Sequence, residues 1–341
     1  SCQITDINGC VSTDNVTISQ PVVISSSIIS TDVLCYGDAT GSATVTATGG
    51  VSPYTYSWSN GQNGVIATNL LAGTYTCNIT DLNGCVFTDN VTITEPSSAL
   101  SSSISSVNVL CYGGASGSAT VTAGGGTSPY TYSWSNSQIG VIATNLLAGT
   151  YTCDITDLNG CVLIDNVTIT EPSSALSSSI SDIDVLCYGD ATGSASLIAT
   201  GGTSPYTYLW SNGQTGASAT NLLAGTYTCD ITDLNGCTFT DNVTITEPSS
   251  AISSGASSAN VLCYGDATGS AIVTVVGGTS PYTYLWSDGQ TGATATNLLA
   301  GSYTCDITDN NGCIVTDNVS ISEPSSALSS SISATDVLCN G

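Results

Sequence analysis

The stretch NLLAGTYTCNITDLNGC, residues 69–85, sets Tyr75, Cys77 and Ile79 against Thr76, Asn78 and Thr80 in strict alternation. A period of two with one apolar side predicts a strand with one buried face. The Asp81-Leu82-Asn83-Gly84 that follows predicts a hairpin turn, because Asn-Gly tolerates positive φ, and the return strand brings Val91 and Ile93 inward. Working outward, SATVTATGG (42–50) alternates Ala43, Val45 and Ala47 with Ser42, Thr44 and Thr46. GGVSPYTYSW then gives a Gly-Gly and Pro turn with Tyr54, Tyr56 and Trp58 on one face. No helical periodicity exceeds one turn, so the expected class is all-β. About seven short strands in ~75 residues, with Trp on the third and Tyr-x-Cys on the sixth, is the pattern of an immunoglobulin-like sandwich. In such a sandwich Tyr75 is placed to hydrogen-bond back across the corner before its strand. Trp58, Trp134, Trp210 and Trp286 are expected in the cores; the alternative, a sugar-stacking platform, needs an exposed indole face.

The opening stretch returns at 145–161, 221–237 and 297–313, a period of 76 residues. Cys-Tyr-Gly begins at 35, 111, 187 and 263 and returns as Cys-Asn-Gly at 339, while Glu-Pro closes units at Pro96, Pro172, Pro248 and Pro324. The expected division is therefore 22–96, 97–172, 173–248 and 249–324 as four sandwich repeats. Residues 1–21 match the end of a preceding repeat and 325–341 the start of a following one, so the chain reads as a stretch of a longer array. Short linkers are expected near Ser97-Ser98, Ser173-Ser174 and Ser249-Ser250. Strands of eight to ten residues imply ~35–40 Å per unit and roughly 150 Å for four units in a semi-rigid rod. A unit of this size buries about 60–65% of its unfolded surface, so cross-links or neighbours must contribute.

The 341 residues hold 25 acids and no Lys, Arg or His, a net charge of −25. Such a chain has no basic footprint for nucleic acid and no attraction to an anionic membrane surface. No run of 18 apolar residues spans a bilayer. Fifteen cysteines in a strand-rich chain point to an oxidising exterior, and without histidine or a C-x-x-C pair a thiolate metal site is disfavoured. Trypsin-like proteases find nothing to cut, and the absence of Met removes a common oxidation target, both of which suit an exposed fibre.

The order C-x-G, G-S-A-T-V-T, G-G-x-S-P-Y-T-Y-x-W, N-L-x-A-G-T-Y, D-x-N-G-C and I-T-E-P resembles the SprB repeat of Bacteroidetes cell-surface proteins, itself similar to PKD-type immunoglobulin-like domains. The resemblance covers all four units and both fragments. It implies a very large adhesin exported by type IX secretion, of the kind that carries gliding motility as a filament on the cell surface, outer membrane associated. Members usually have an apolar residue or Thr where Cys77, Cys153, Cys229 and Cys305 stand here.

Chemistry is sparse. Carboxylate pairs such as Asp154 with Asp157, or Asp81 with Asp89, could in principle serve glycoside hydrolysis, but a tandem fourfold active site is an unlikely design. With no cationic side chain and no near-neutral base, no enzyme and no cofactor are expected. Missing Lys also forbids a Lys-Asn isopeptide cross-link. Asp81, Asn83 and Asp89 are weak calcium candidates, as are Asp38, Asp190 and Asp266 in the Cys-Tyr-Gly-Asp turns. Gly114 replaces that aspartate in the second unit, Asp-x-Asn-Gly is ordinary turn chemistry, and calcium is expected to be dispensable for folding. The Asn-Val-Thr sequons at Asn15, Asn90, Asn166 and Asn242 read as strand residues before glycan sites.

For the cysteines, immunoglobulin-like geometry puts the AB and EF corners at one end and the FG hairpin at the other. Cys35 and Cys77 then share an end, and the favoured pairing is Cys35–Cys77, repeated as Cys111–Cys153, Cys187–Cys229 and Cys263–Cys305. Cys85, Cys161, Cys237 and Cys313 are left to pair between chains or stay free. The rival links Cys35 to Cys161 of the next unit and clamps the joint.

Two functions stay open: a filament or stalk whose adhesive parts lie elsewhere, meeting extracellular surfaces or glycans through regions outside this stretch and able to self-associate laterally; or repeats that themselves bind glycans or surfaces by avidity. A linker attached to an enzyme is a weaker third.

Overall fold

A computed structural model describes residues 1–335; Asp336–Gly341, with the Cys339 turn and the end of the expected following repeat, lie outside the described residues. The described residues are all-β, without helices. They begin with an exposed hairpin of β1 (Cys2–Thr5) and β2 (Val11–Asp14). The first repeat then holds β3 (Ser25–Thr31), β4 (Gly41–Thr48), β5 (Thr55–Trp58), β6 (Ile66–Leu70), β7 (Gly73–Thr80) and β8 (Val86–Ile93). The set recurs from β9 (Ser101–Val107) to β14 (Val162–Ile169), from β15 (Ser177–Ile183) to β20 (Thr238–Ile245), and from β21 (Ser253–Ala259) to β26 (Ile314–Ile321).

Each set makes two antiparallel three-stranded sheets, in the first repeat β3-β4-β6 and β5-β7-β8. Together they form an immunoglobulin-like sandwich of six strands, one fewer than the sequence predicts. The fourth strand of the seven-strand plan has no room. Only residues 59–65 separate β5 from β6, and they form a turn in which the Gly61 amide donates to Trp58 O and the Trp58 amide to Gln62 O, both at 2.9 Å.

The alternation read from the sequence places the core. Ala43, Val45, Trp58, Ala67, Leu70, Cys77, Ile79 and Ile93 are buried between the sheets with Ile24 and Val33, and the other three repeats have equivalent clusters. Trp58 is 2% exposed and donates its indole N–H to Gly64 O at 3.0 Å, so the tryptophans are core residues and offer no free face for a sugar. Tyr75 donates to Leu71 O at 3.1 Å, the corner bond expected of it, repeated by Tyr151, Tyr227 and Tyr303. Gly41 starts β4 at a close approach of the two sheets: a Cβ there would lie 2.7 Å from Ile93 Cγ2 and 2.8 Å from Leu70 O. Asn69 holds φ +54°, a left-handed conformation that Asn tolerates better than bulkier residues, and Asn145, Asn221 and Asn297 do the same.

The chain falls into two compact units. Unit 1 comprises Ser1–Val109 and Gly113–Glu171, with the first and second cores; unit 2 comprises Leu110–Tyr112 and the chain from Pro172 onward, with the third and fourth.

Candidate functional site

The most elaborately built feature of each unit is a hairpin turn held to a Cys-Tyr-Gly turn. In the second repeat, Asp157-Leu158-Asn159-Gly160 closes the hairpin before β14, with Gly160 at φ +85° and its amide donating to Asp157 O at 3.1 Å. Asp157 is 5% exposed, and its carboxylate organises the turn. Oδ1 accepts from the Asn159 and Cys161 amides at 2.9 Å each, and Oδ2 from the Thr127 amide at 2.9 Å. A buried carboxylate without a cation is tolerable only when amide dipoles replace its hydration. The same bonds recur at Asp81, Asp233 and Asp309.

The amide of Cys85, with those of Val51 and Asn83, holds the Asp81 carboxyl below its usual range against the opposing effect of burial. At Asp233 and Asp309 burial is the largest influence and pushes upward, yet the surrounding amides outweigh it and the net shift is downward. A carboxylate with a depressed folded-state pKa contributes stability that is present above its unfolded value and lost as pH falls through the folded one. The melting temperature is therefore expected to fall as pH drops below about 3.8, the unperturbed value, and to show no corresponding loss between pH 5 and 7. Thermal scans across pH 2–7 check this; a flat profile down to pH 2 contradicts it.

With the turn fixed, Asn159 and Cys161 face the first repeat. Cys161 is disulfide-bonded to Cys35, with Cα atoms 5.7 Å apart, and Asn159 Nδ2 donates to Leu34 O at 2.9 Å and to Thr127 Oγ1 at 3.0 Å. Within unit 2, Cys111 bonds Cys237 beside Asn235 Nδ2 to Leu110 O at 3.0 Å, and Cys187 bonds Cys313 beside Asn311 Nδ2 to Leu186 O at 3.0 Å. The other side of the joint is shaped by the glutamate of Ile-Thr/Ser-Glu-Pro: Glu95 accepts from the Gly37 amide at 2.6 Å, and Glu171, Glu247 and Glu323 accept from Gly113, Gly189 and Gly265 at 2.5–2.6 Å.

The favoured pairing of Cys35 with Cys77, and its equivalents Cys111–Cys153, Cys187–Cys229 and Cys263–Cys305, is thereby overturned. Cys77 does not sit at the corner. It lies four residues into β7, opposite Trp58, wholly buried, whereas Cys35 lies in the turn after β3. Cys153, Cys229 and Cys305 occupy the same core position, and burial pushes all four thiols up from their ordinary pKa. Cys85 and Cys263 are exposed free thiols, with Cys2 and Cys10. Alkylation of the native protein is expected to modify Cys2, Cys10, Cys85 and Cys263, and to reach Cys77, Cys153, Cys229 and Cys305 only in denaturant. Peptide mapping that finds Cys153 labelled natively refutes the core assignment.

The remaining carboxylates do not assemble. Asp81 lies in the turn beyond the Thr80–Val86 pair, while Asp89 sits in β8 opposite Cys77 and accepts from Ser26 Oγ at 2.5 Å, tying one sheet to the other. Asn83 offers its amide N–H to Asp81 Oδ1, so the three weak calcium candidates do not converge. Asp154 lies in the strand opposite Ser133 with an exposed side chain, whereas Asp157 is locked in its turn. Among the described residues no three His, Cys, Asp or Glu side chains are grouped to hold a metal ion. Asp38 donates its amide to Cys35 O at 3.0 Å in an exposed turn. Asn90 and Asn166 are exposed strand residues opposite Thr76 and Thr152.

The sequence model of the SprB repeat matches four times, at residues 27–63, 103–138, 183–215 and 255–291. This chain carries SprB repeats. Each match starts within the first strand of a sandwich and ends past its buried tryptophan, so it reaches the first three of the six strands and stops before the other three. No curated protein matches the chain. Among solved structures, the N-terminal eight immunoglobulin domains of Down syndrome cell adhesion molecule are similar at 13% identity over 94% of this chain, with a TM-score of 0.28; the chain spans 57% of that structure's length. A tetra-tandem repeat from the extending region of a large adhesion protein is similar at 17% identity over 84% of this chain and 96% of its own, with a TM-score of 0.25. Domains 1–6 of the surface-layer protein SbsC are similar at 15% identity over 86% and 53%, with a TM-score of 0.23.

Proposed function

We propose that these SprB repeats form the stalk of a secreted cell-surface adhesin, a non-catalytic spacer serving surface attachment and gliding motility. The observation that carries this reading is how the conspicuous residues of the repeat are engaged. Trp58 fills the core, Tyr75 ties the corner, Asp81 builds the hairpin, Glu95 shapes the Cys-Tyr-Gly turn, and Cys35 bonds the next repeat. What remains outward is chiefly Ser, Thr and Asn on an acidic chain with no cationic side chain, with apolar side chains such as Tyr36, Leu71 and Leu82 among them, and the net charge suits mutual repulsion. The repeat boundaries at 22–96, 97–172, 173–248 and 249–324 belong to this reading, as does a cell-surface location.

The second reading, a multivalent glycan or surface binder, is favoured by that same hydrogen-bonding exterior. Purified repeats displayed at high valency on beads and passed over glycan arrays and abiotic surfaces separate the two. The stalk reading expects no retention above a scrambled acidic control. Saturable retention by the beads overturns it in favour of the binder.

A further inference from the structure

Each disulfide closes a loop of 126 residues, while the repeat advances by 76, so successive loops overlap. The overlap creates a covalent shortcut. From Cys35 the chain crosses to Cys161, follows only 26 residues to Cys187, and crosses again to Cys313. A second path of the same spacing runs from Cys85 to Cys111, across to Cys237 and on to Cys263. The eight joint cysteines thus lie on two interleaved rails, each advancing two repeats for every 26 residues of backbone. Most of each sandwich is bypassed: in the second repeat only β14 lies on the first rail, and in the third only β15.

We propose that the disulfides make the array a tether of capped length, in which tension travels along the rails and the sandwiches between them stay folded. This mechanical role rests on the stalk reading, but the rail geometry does not. A fully extended chain spans at most ~3.5 Å per residue, so the oxidised path from Cys35 to Cys313 can reach only ~100 Å, including its two disulfides. The reduced path of 278 residues reaches ~970 Å. Of the residues between Cys161 and Cys187, Val162–Ile169 and Ser177–Ile183 are already extended strand.

Single-molecule stretching of the whole 341-residue chain from its two ends tests this, because the end segments add the same length in every state. Oxidised protein is expected to show no extension step near the ~250 Å that one 76-residue repeat releases when it unravels. Addition of a phosphine, which splits each S–S bond to two thiols while taking oxygen from water, is expected to restore four such steps and about a tenfold longer path between Cys35 and Cys313. The variant with Cys111→Ser and Cys237→Ser keeps the first rail and the ~100 Å ceiling, whereas Cys35→Ser, Cys161→Ser, Cys187→Ser and Cys313→Ser together leave only Cys111–Cys237 and raise the ceiling to ~540 Å. These ceilings count covalent links, so each is read on protein whose remaining disulfides are confirmed by peptide mapping without reductant. Steps of ~250 Å in the oxidised wild type, or an altered ceiling in the variant with Cys111→Ser and Cys237→Ser, overturn the proposal. Retention on glycan arrays with the ceiling intact overturns the stalk reading alone, and the reverse outcome overturns the tether alone.

Discussion

Replacing Trp134 with alanine is expected to destabilise the second repeat by about 4 kcal/mol, the range found for deleting a large aromatic side chain from a packed core. The indole is 2% exposed, lies opposite Cys153, and packs among Val121, Leu146, Ile155 and Ile169. Its removal leaves a void between two three-stranded sheets that have little else to close it. It also deprives Gly140 O of the 3.0 Å bond from the indole N–H, a second cost that a purely apolar deletion does not carry. One sandwich is small, and a loss of this size shifts its melting point by roughly 15 °C or more. Calorimetry is expected to show about a quarter of the unfolding enthalpy moving to lower temperature while the other repeats hold theirs. A shift of under ~3 °C would mean that the tryptophan is not part of the core's support, and would reopen the sugar-platform reading.

Much of this core is legible in the sequence because burial on a pleated sheet imposes a period of two. Ala43 and Val45, Cys77 and Ile79, and Val91 and Ile93 all fall on the sides their alternation assigns. The Tyr75 corner bond and the Asp81 turn are legible for a similar reason, since both are local and close within a few residues. What escaped the sequence depends on pairs far apart along the chain. Gly37 and Glu95 are 58 residues apart, and nothing in Ile-Thr-Glu-Pro alone says that its carboxylate shapes a distant turn. The six-strand sheet plan turns on a connection too short for a seventh strand, visible only once β5 and β6 have fixed ends. The expected disulfide pairing fails at a single step: it places Cys77 at the corner shared with Cys35, whereas the alternation with Ile79 already puts Cys77 inside. A cysteine in phase with the apolar face of a strand is a core residue first, and the cysteines out of phase, in turns, are the ones free to meet.

Removing the first joint disulfide with Cys35→Ser and Cys161→Ser together is expected to cost unit 1 about 4 kcal/mol. The double substitution is needed because a single one leaves a thiol able to attack one of the remaining disulfides. Cross-linking stabilises chiefly by restricting the unfolded chain, and the restriction grows slowly with loop length. A loop of 126 residues therefore lies near the upper part of the usual range, about 3–5 kcal/mol. The native side of the balance is modest: the Asn159 bond to Leu34 O at 2.9 Å is exposed and remains possible without the disulfide, so it offsets none of the lost restriction. The measurement is the urea midpoint of unit 1, expected to fall with an unchanged m-value relative to reduced wild type. Cys153→Val is the matched control, since it removes a thiol of similar volume from the core and leaves every disulfide in place, for an expected change below about 1.5 kcal/mol. A double variant within ~1 kcal/mol of oxidised wild type would show that the joint constrains little in the unfolded chain, and that the turn contacts alone hold one repeat against the next.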